Sequence, residues 1–164
     1  MTGMRARALA AFLACLVLLA ACGFRLQGAE VRLDHLGGLY LAVPDDLSPF
    51  AVELRQGLAR SGARLAPSAG EADVVIRVQA ERTGRRVLAV SARNTPTEFE
   101  IYYNLEYSVD RRGQEVVPVQ RLERERNFSF DEGQLLAKGH EEDVLREAMA
   151  RDLADLVLRR LATL

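Results

Sequence analysis

Between Glu98 and Asp110 apolar and polar residues alternate without a break, and this period of two constrains the fold more than any other stretch. Phe99, Ile101, Tyr103, Leu105, Tyr107 and Val109 fall on one side, and Glu98, Glu100, Tyr102, Asn104, Glu106 and Ser108 on the other. Only a β-strand sends successive side chains to opposite faces. A strand this polar on its second side belongs to a sheet that is covered on one face only.

The flanking segments supply the rest of the sheet. From Asp73 onward Val74, Ile76, Val78 and Ala80 alternate with Val75, Arg77, Gln79 and Glu81. Gly84 is expected to mark a bulge or bend before Val87 to Val90 continue the strand. Arg93-Asn94-Thr95-Pro96-Thr97 is turn chemistry, and Arg111-Arg112-Gly113-Gln114 closes a hairpin. Val116 to Phe130 returns, with Pro118 confining that strand to an edge or a bulge. Earlier in the chain, Leu39-Tyr40-Leu41-Ala42-Val43 is a short apolar strand ended by Pro44.

Two helices are expected. Ser48 is suited to the N-cap and Pro49 to the first helical position, where its missing N–H costs nothing. Phe50, Leu54 and Leu58 then share one face, Gly62 stops the helix, and Ala63 to Glu71 form a loop. In the second helix Glu141-Glu142-Asp143 are placed for its N-terminus and Arg159-Arg160 for its end. Leu145, Met149, Leu153, Leu156 and Leu161 line one side of it.

The resulting class is α+β: a two-layer sandwich of a four-stranded mixed sheet, in the order β-α-β-β-β-α, with both helices on one face. The first two strands are parallel neighbours joined by a right-handed crossover, and the others form an antiparallel meander. Residues 39–164 make a single domain. The Glu98–Asp110 strand would be about 40 Å long, against about 20 Å and about 30 Å for the two helices. The hairpin should therefore outrun its cover. The segment from Gln120 to Asn127, polar on both faces, is equally readable as a solvated ribbon with cross-strand ion pairs and as a surface for a partner.

The start of the chain carries a different message. Arg5 and Arg7 precede an uncharged apolar run from Ala8 to Ala21. This is the layout of a secretory signal over residues 1–21, too short to span a bilayer comfortably. Cys22 follows Leu19-Ala20-Ala21 directly, which resembles the lipobox of bacterial lipoproteins and implies acylation of Cys22. The alternative is an ordinary signal with an incidental cysteine. Gly23, standing where an aspartate in this class directs retention at the inner membrane, implies the outer membrane. Residues 22–38 read as a tether.

Removing the signal takes the net charge from −1 to −3, far from the basic excess of a nucleic-acid binder. With Cys15 removed and Cys22 acylated, no disulfide or cysteine metal site is expected. His35 and His140 are the only histidines. No catalytic set and no cofactor site can be drawn from them.

Topology sends Arg93 and Lys138, the one lysine in the chain, to the same end of the sheet, remote from the anchor. A guanidinium and an ammonium there could hold phosphate or carboxylate groups. On pattern alone both are more simply solvated turn cations, with Lys138 next to Glu141 and Glu142.

Cys22-Gly23-Phe24-Arg25-Leu26-Gln27-Gly28 resembles the opening of mature proteins of the LptE family of lipopolysaccharide-assembly lipoproteins. The element order, the Arg93-Asn94 turn and Leu136-Ala137-Lys138 before an acidic stretch are similar too. The resemblance implies a plug within a large outer-membrane barrel, LptD, that helps the barrel fold and assists lipopolysaccharide insertion into the outer leaflet. It also implies that Arg93 and Lys138 contact lipopolysaccharide, although Asn94-Thr95-Pro96 departs from the commoner Asn-Gly turn. The competing readings are a lipoprotein that scaffolds another envelope complex or binds cell wall, and a periplasmic enzyme.

Overall fold

The computed structural model describes residues 31–129 and 135–164, with side chains of the second stretch described from Gly139 onward. The signal, Cys22 and the first part of the tether lie outside the described residues. Strand β1 (Gly38–Ala42) leads to helix α1 (Pro49–Arg60), and a short strand β2 (Arg64–Leu65) follows. Then come three long strands, β3 (Val74–Val90), β4 (Pro96–Arg111) and β5 (Gln114–Ser129), and a final helix α2 (Leu135–Leu161).

The sheet runs β2-β1-β3-β4-β5. β1 is parallel to both its neighbours, and β3, β4 and β5 are antiparallel. The class, the parallel crossover and the meander are as expected; the sheet has five strands rather than four. The extra one is β2, two exposed residues laid parallel along β1. So short a strand has no period to betray it. Ala66 N–H bonds Leu39 O at 2.7 Å, and Pro67, with no N–H, follows directly.

α1 begins as its sequence dictates. The Ser48 hydroxyl accepts the Ala51 N–H at 3.2 Å, and Pro49 stands at the first position. Past Ser61, Gly62 takes φ +72, the left-handed conformation that ends helices. In the β4–β5 turn Arg112 and Gly113 both have positive φ, as a two-residue hairpin turn requires. Pro118 sits on the edge strand, at a step where the register slips between Tyr107↔Gln120 and Val109↔Val117.

Both helices share one core with one face of the sheet. Phe50, Leu54 and Leu58 of α1 and Met149, Leu153, Val157 and Leu161 of α2 pack with Ile76, Ile101, Tyr103, Leu105 and Val109. The two helices run parallel, and they approach so closely that a Cβ on Gly57 would collide with Leu158. Leu33 and Leu36, within the stretch read as tether, are buried in the same core.

Two further local expectations are corrected. Gly84 is not a bulge: it pairs in register with Tyr102, and the slips fall at Val78/Ala80 and beyond Val87. Its hydrogen is needed because the Tyr102 hydroxyl occupies the space of a Cβ. α2 starts at Leu135, not at the acids 141–143. At 27 residues it is about 40 Å long. Glu142 lies inside the helix because its carboxylate is taken by Arg85 of β3 and Arg146 of α2.

Candidate functional site

β3 and its partners extend well past α1. The N-terminus of α1 rests on the middle of the hairpin, where the buried Tyr103 hydroxyl accepts the Phe50 N–H at 3.2 Å and donates to Glu81. The Ser48 hydroxyl donates to the other Glu81 oxygen at 2.8 Å. A carboxylate at a helix N-terminus is electrostatically favourable. Burial, then Glu81, push the Tyr103 phenol well above its ordinary range, so it stays protonated and keeps donating.

Beyond this level, among the described residues, α2 covers the sheet. Its attachment is a stack of three groups. The Arg85 guanidinium lies 4.9 Å above the Phe99 ring and donates to Glu142 at 2.9 Å. Phe99 in turn stacks on Phe128 of β5 at 5.7 Å. Lower down, Arg126 of β5 bonds Asp152 of α2 at 3.1 Å.

The opposite face of the sheet is polar, with charges paired across strands. Arg86 binds Glu100 and, at 2.8 Å, Glu125. Arg121 binds Glu106 at 2.8 Å, and Arg77 binds Asp110 at 2.9 Å. These pairs account for the polarity of β5 as cross-strand bonding. They also leave a face suited to water and polar neighbours rather than to hydrocarbon. No helix among the described residues is long and apolar enough to cross a membrane.

The far pole is the β3–β4 turn. Ser91 N–H donates to Thr95 O at 2.7 Å, and Asn94 N–H to Ser91 O at 2.9 Å. The Ser91 hydroxyl accepts the N–H groups of Arg93 and Thr95, each at 3.3 Å. Asn94 takes φ 61, a conformation asparagine tolerates. Arg93 is exposed at the tip, and Val87, Leu88 and Val90 expose apolar surface just below it. β5 ends at Ser129, opposite Glu98 at the start of β4. Lys138 lies in the first turn of α2, one turn before Glu142. Its backbone is therefore on the far-pole side of the Arg85 clamp, while its side chain lies outside the described residues. Cys22 also lies outside them.

The near pole carries the start of β1, the β4–β5 turn and the ends of both helices. Asp73 accepts the Gly38 N–H at 3.0 Å and faces Arg112 at 3.5 Å. Arg111 donates to Leu164 O at 2.8 Å. Seventeen residues of β3 separate the two poles, roughly 50 Å at the usual rise. The Arg85–Glu142–Phe99 clamp and the Glu81–Tyr103–Ser48 network have no local signature, since each joins residues far apart in sequence.

The chain matches the family model described as "LptE: Lipopolysaccharide-assembly" over residues 36–161. It is 26% identical over 149 residues to the LPS-assembly lipoprotein LptE of Pectobacterium atrosepticum, covering 90% of this chain and 80% of that one. It is 27% identical over 162 residues to the protein of the same name from Yersinia pestis strain Pestoides F, covering 98% and 78%. Among solved structures, the fold is similar to rare lipoprotein B from Shewanella oneidensis, with a TM-score of 0.67 and 24% identity over 77% of this chain and 94% of that one. It is similar also to lipoprotein B from Nitrosomonas europaea, with a TM-score of 0.69 and 23% identity over 85% and 90%. With a family match that spans the crossover, the long hairpin and the second helix, the chain belongs to the LptE family of lipopolysaccharide-assembly proteins.

Proposed function

We propose that this protein is an outer-membrane lipoprotein of lipopolysaccharide assembly, acylated at Cys22 and seated on the periplasmic side inside an LptD-type barrel. It would help that barrel fold and assist lipopolysaccharide insertion into the outer leaflet. In this reading Arg93 and Lys138 bind anionic groups of lipopolysaccharide at the pole remote from the anchor, Arg93 through its planar fork and Lys138 as a point charge.

The observation that carries the reading is the hairpin in a chain of this family. It is long, it outruns α1, and its polar face pairs charges laterally. Such a face suits the polar interior of a large barrel. More than one acyl chain on Cys22 would make the attachment stable.

The test has two parts. Wild-type chain expressed in a Gram-negative host should copurify with a large barrel protein, and mass spectrometry should find acyl chains on Cys22 that Cys22→Ala abolishes. Purified Arg93→Asp/Lys138→Asp should bind lipopolysaccharide at least tenfold more weakly with an unchanged melting temperature. Unchanged binding would return both residues to solvated cations, and absence of a barrel partner would reject the plug.

A further inference from the structure

The near pole gathers arginines from separate elements. Arg60 ends α1, Arg64 lies in β2, Arg112 stands in the β4–β5 turn, and Arg159 and Arg160 close α2; all five are exposed. Arg60, Arg159 and Arg160 share this pole because the two helices run parallel and finish level with each other, as the bonds between Arg151 and Glu53 and the Gly57–Leu158 contact require. Arg112 and Arg64 both lie near enough to Asp73 to help lower its carboxyl.

Three carboxylates of this pole are already engaged, while Glu115 stands exposed beside the β4–β5 turn. Asp34 is bound by Arg32 at 3.1 Å, Glu71 by the Ser68 hydroxyl at 3.0 Å, and Asp73 by Gly38 N–H and Arg112. Among the described residues, Arg60, Arg159 and Arg160 form no ion pair, and Arg64 acts on Asp73 only at longer range. Arginines in the last turns of α1 and α2 complement the negative ends of the two helices. That accounts for neither Arg64 in a strand nor Arg112 in a turn.

The pole is also where the chain joins the domain. Leu33 N–H donates to Ser61 O at 2.9 Å, beside Arg60. Val31 is nine residues beyond Cys22, a span of at most about 30 Å. An acyl anchor on Cys22 would therefore keep this pole, rather than the Arg93 turn, within reach of the bilayer. We propose that the near-pole arginines bind the anionic phospholipid headgroups of the leaflet that holds the anchor, as an electrostatic attachment beside the acyl chains. The proposal rests on the reading of Cys22 as the acylated residue. Arginine forks match the phosphate geometry of such headgroups.

The test uses the chain from residue 22 onward carrying Cys22→Ser, so that no acyl group holds it. Flotation is compared for vesicles of phosphatidylcholine alone and of phosphatidylcholine mixed with phosphatidylglycerol. The chain should float with the mixed vesicles only and be released as salt shortens the screening length. Arg64→Gln and Arg160→Gln should each weaken binding about fivefold. Equal flotation with both vesicle types, or salt-insensitive binding by the parent chain, would overturn the proposal without reference to any variant. Loss of binding with Arg93→Asp/Lys138→Asp but not with the near-pole variants would place lipid contact at the other end and overturn it as well. Because no acyl chain takes part, these failures leave the Cys22 reading to its own mass-spectrometric test.

Discussion

Arg85 and Glu142 are joined at 2.9 Å across 57 residues of sequence, and this bond fastens the first half of α2 to the outer half of the hairpin. Phe99 beneath the guanidinium holds it in plane. The clamp joins the two layers on the far-pole side of the Glu81–Tyr103–Ser48 network.

Arg85→Ala removes both the ion pair and the ring contact. Arg85 is half exposed, so the expected loss is only about 1 kcal/mol, read from a urea midpoint. The larger effect is local: amide exchange over the first turns of α2 should rise severalfold while that of Leu153 to Leu161 stays unchanged. Uniform exchange along the helix would show that the clamp does not organise it.

Tyr103→Phe tests the junction between α1 and the hairpin. The variant leaves the Phe50 N–H and the Glu81 carboxylate short of a buried partner, at a cost of about 1–3 kcal/mol. The phenol, raised in the fold by burial and then by Glu81, resists ionisation there while the unfolded chain ionises normally. Its contribution is thus full below pH about 10 and lost as the pH climbs higher. The wild type should lose stability along that alkaline slope, and Tyr103→Phe should lose less. Tyr107, also raised by burial, keeps part of the slope in the variant. Identical slopes in both proteins would contradict this account.

Asp73 gives the opposite pH signature at the near pole. Its carboxyl is held below its ordinary value of 3.8, first by the Gly38 N–H and then by Arg112 and Arg64. A lowered carboxylate contributes stability above the unfolded value and loses it as the pH falls through the folded one. Asp73→Asn should therefore be less stable than wild type at neutral pH, and the two denaturation midpoints should converge as the pH falls below the ordinary carboxylate value. A gap that stays constant on acidification would show that the carboxylate charge is not what Asp73 supplies.

Much of this architecture is legible in the sequence because its signals are local and long. The alternation from Glu98 to Asp110, the Ser48-Pro49 start and the Arg112-Gly113 turn each commit the backbone without help from distant residues. The failures are tertiary. β2 is two exposed residues whose pairing depends on β1 lying alongside. Glu142 reads as a helix start until Arg85, far upstream, is seen to hold it inside the helix. Gly84 reads as a bulge until Tyr102 is found above it. Leu33 and Leu36 have no period of their own, and their burial depends on the core beneath them. At the candidate site the same division holds. Both cations are visible as residue types, whereas the Arg85–Glu142 bond that fastens α2 to β3 is not.

On the proposed reading, the Arg93 pole meets lipopolysaccharide and the opposite pole does not. It is tested most directly by a photocrosslinking residue placed at position 93 or at position 112 in intact cells. Position 93 should yield adducts with lipopolysaccharide and with the barrel wall, and position 112 should yield none with lipopolysaccharide. Equal lipopolysaccharide adducts from both positions, or adducts from position 112 alone, would contradict it.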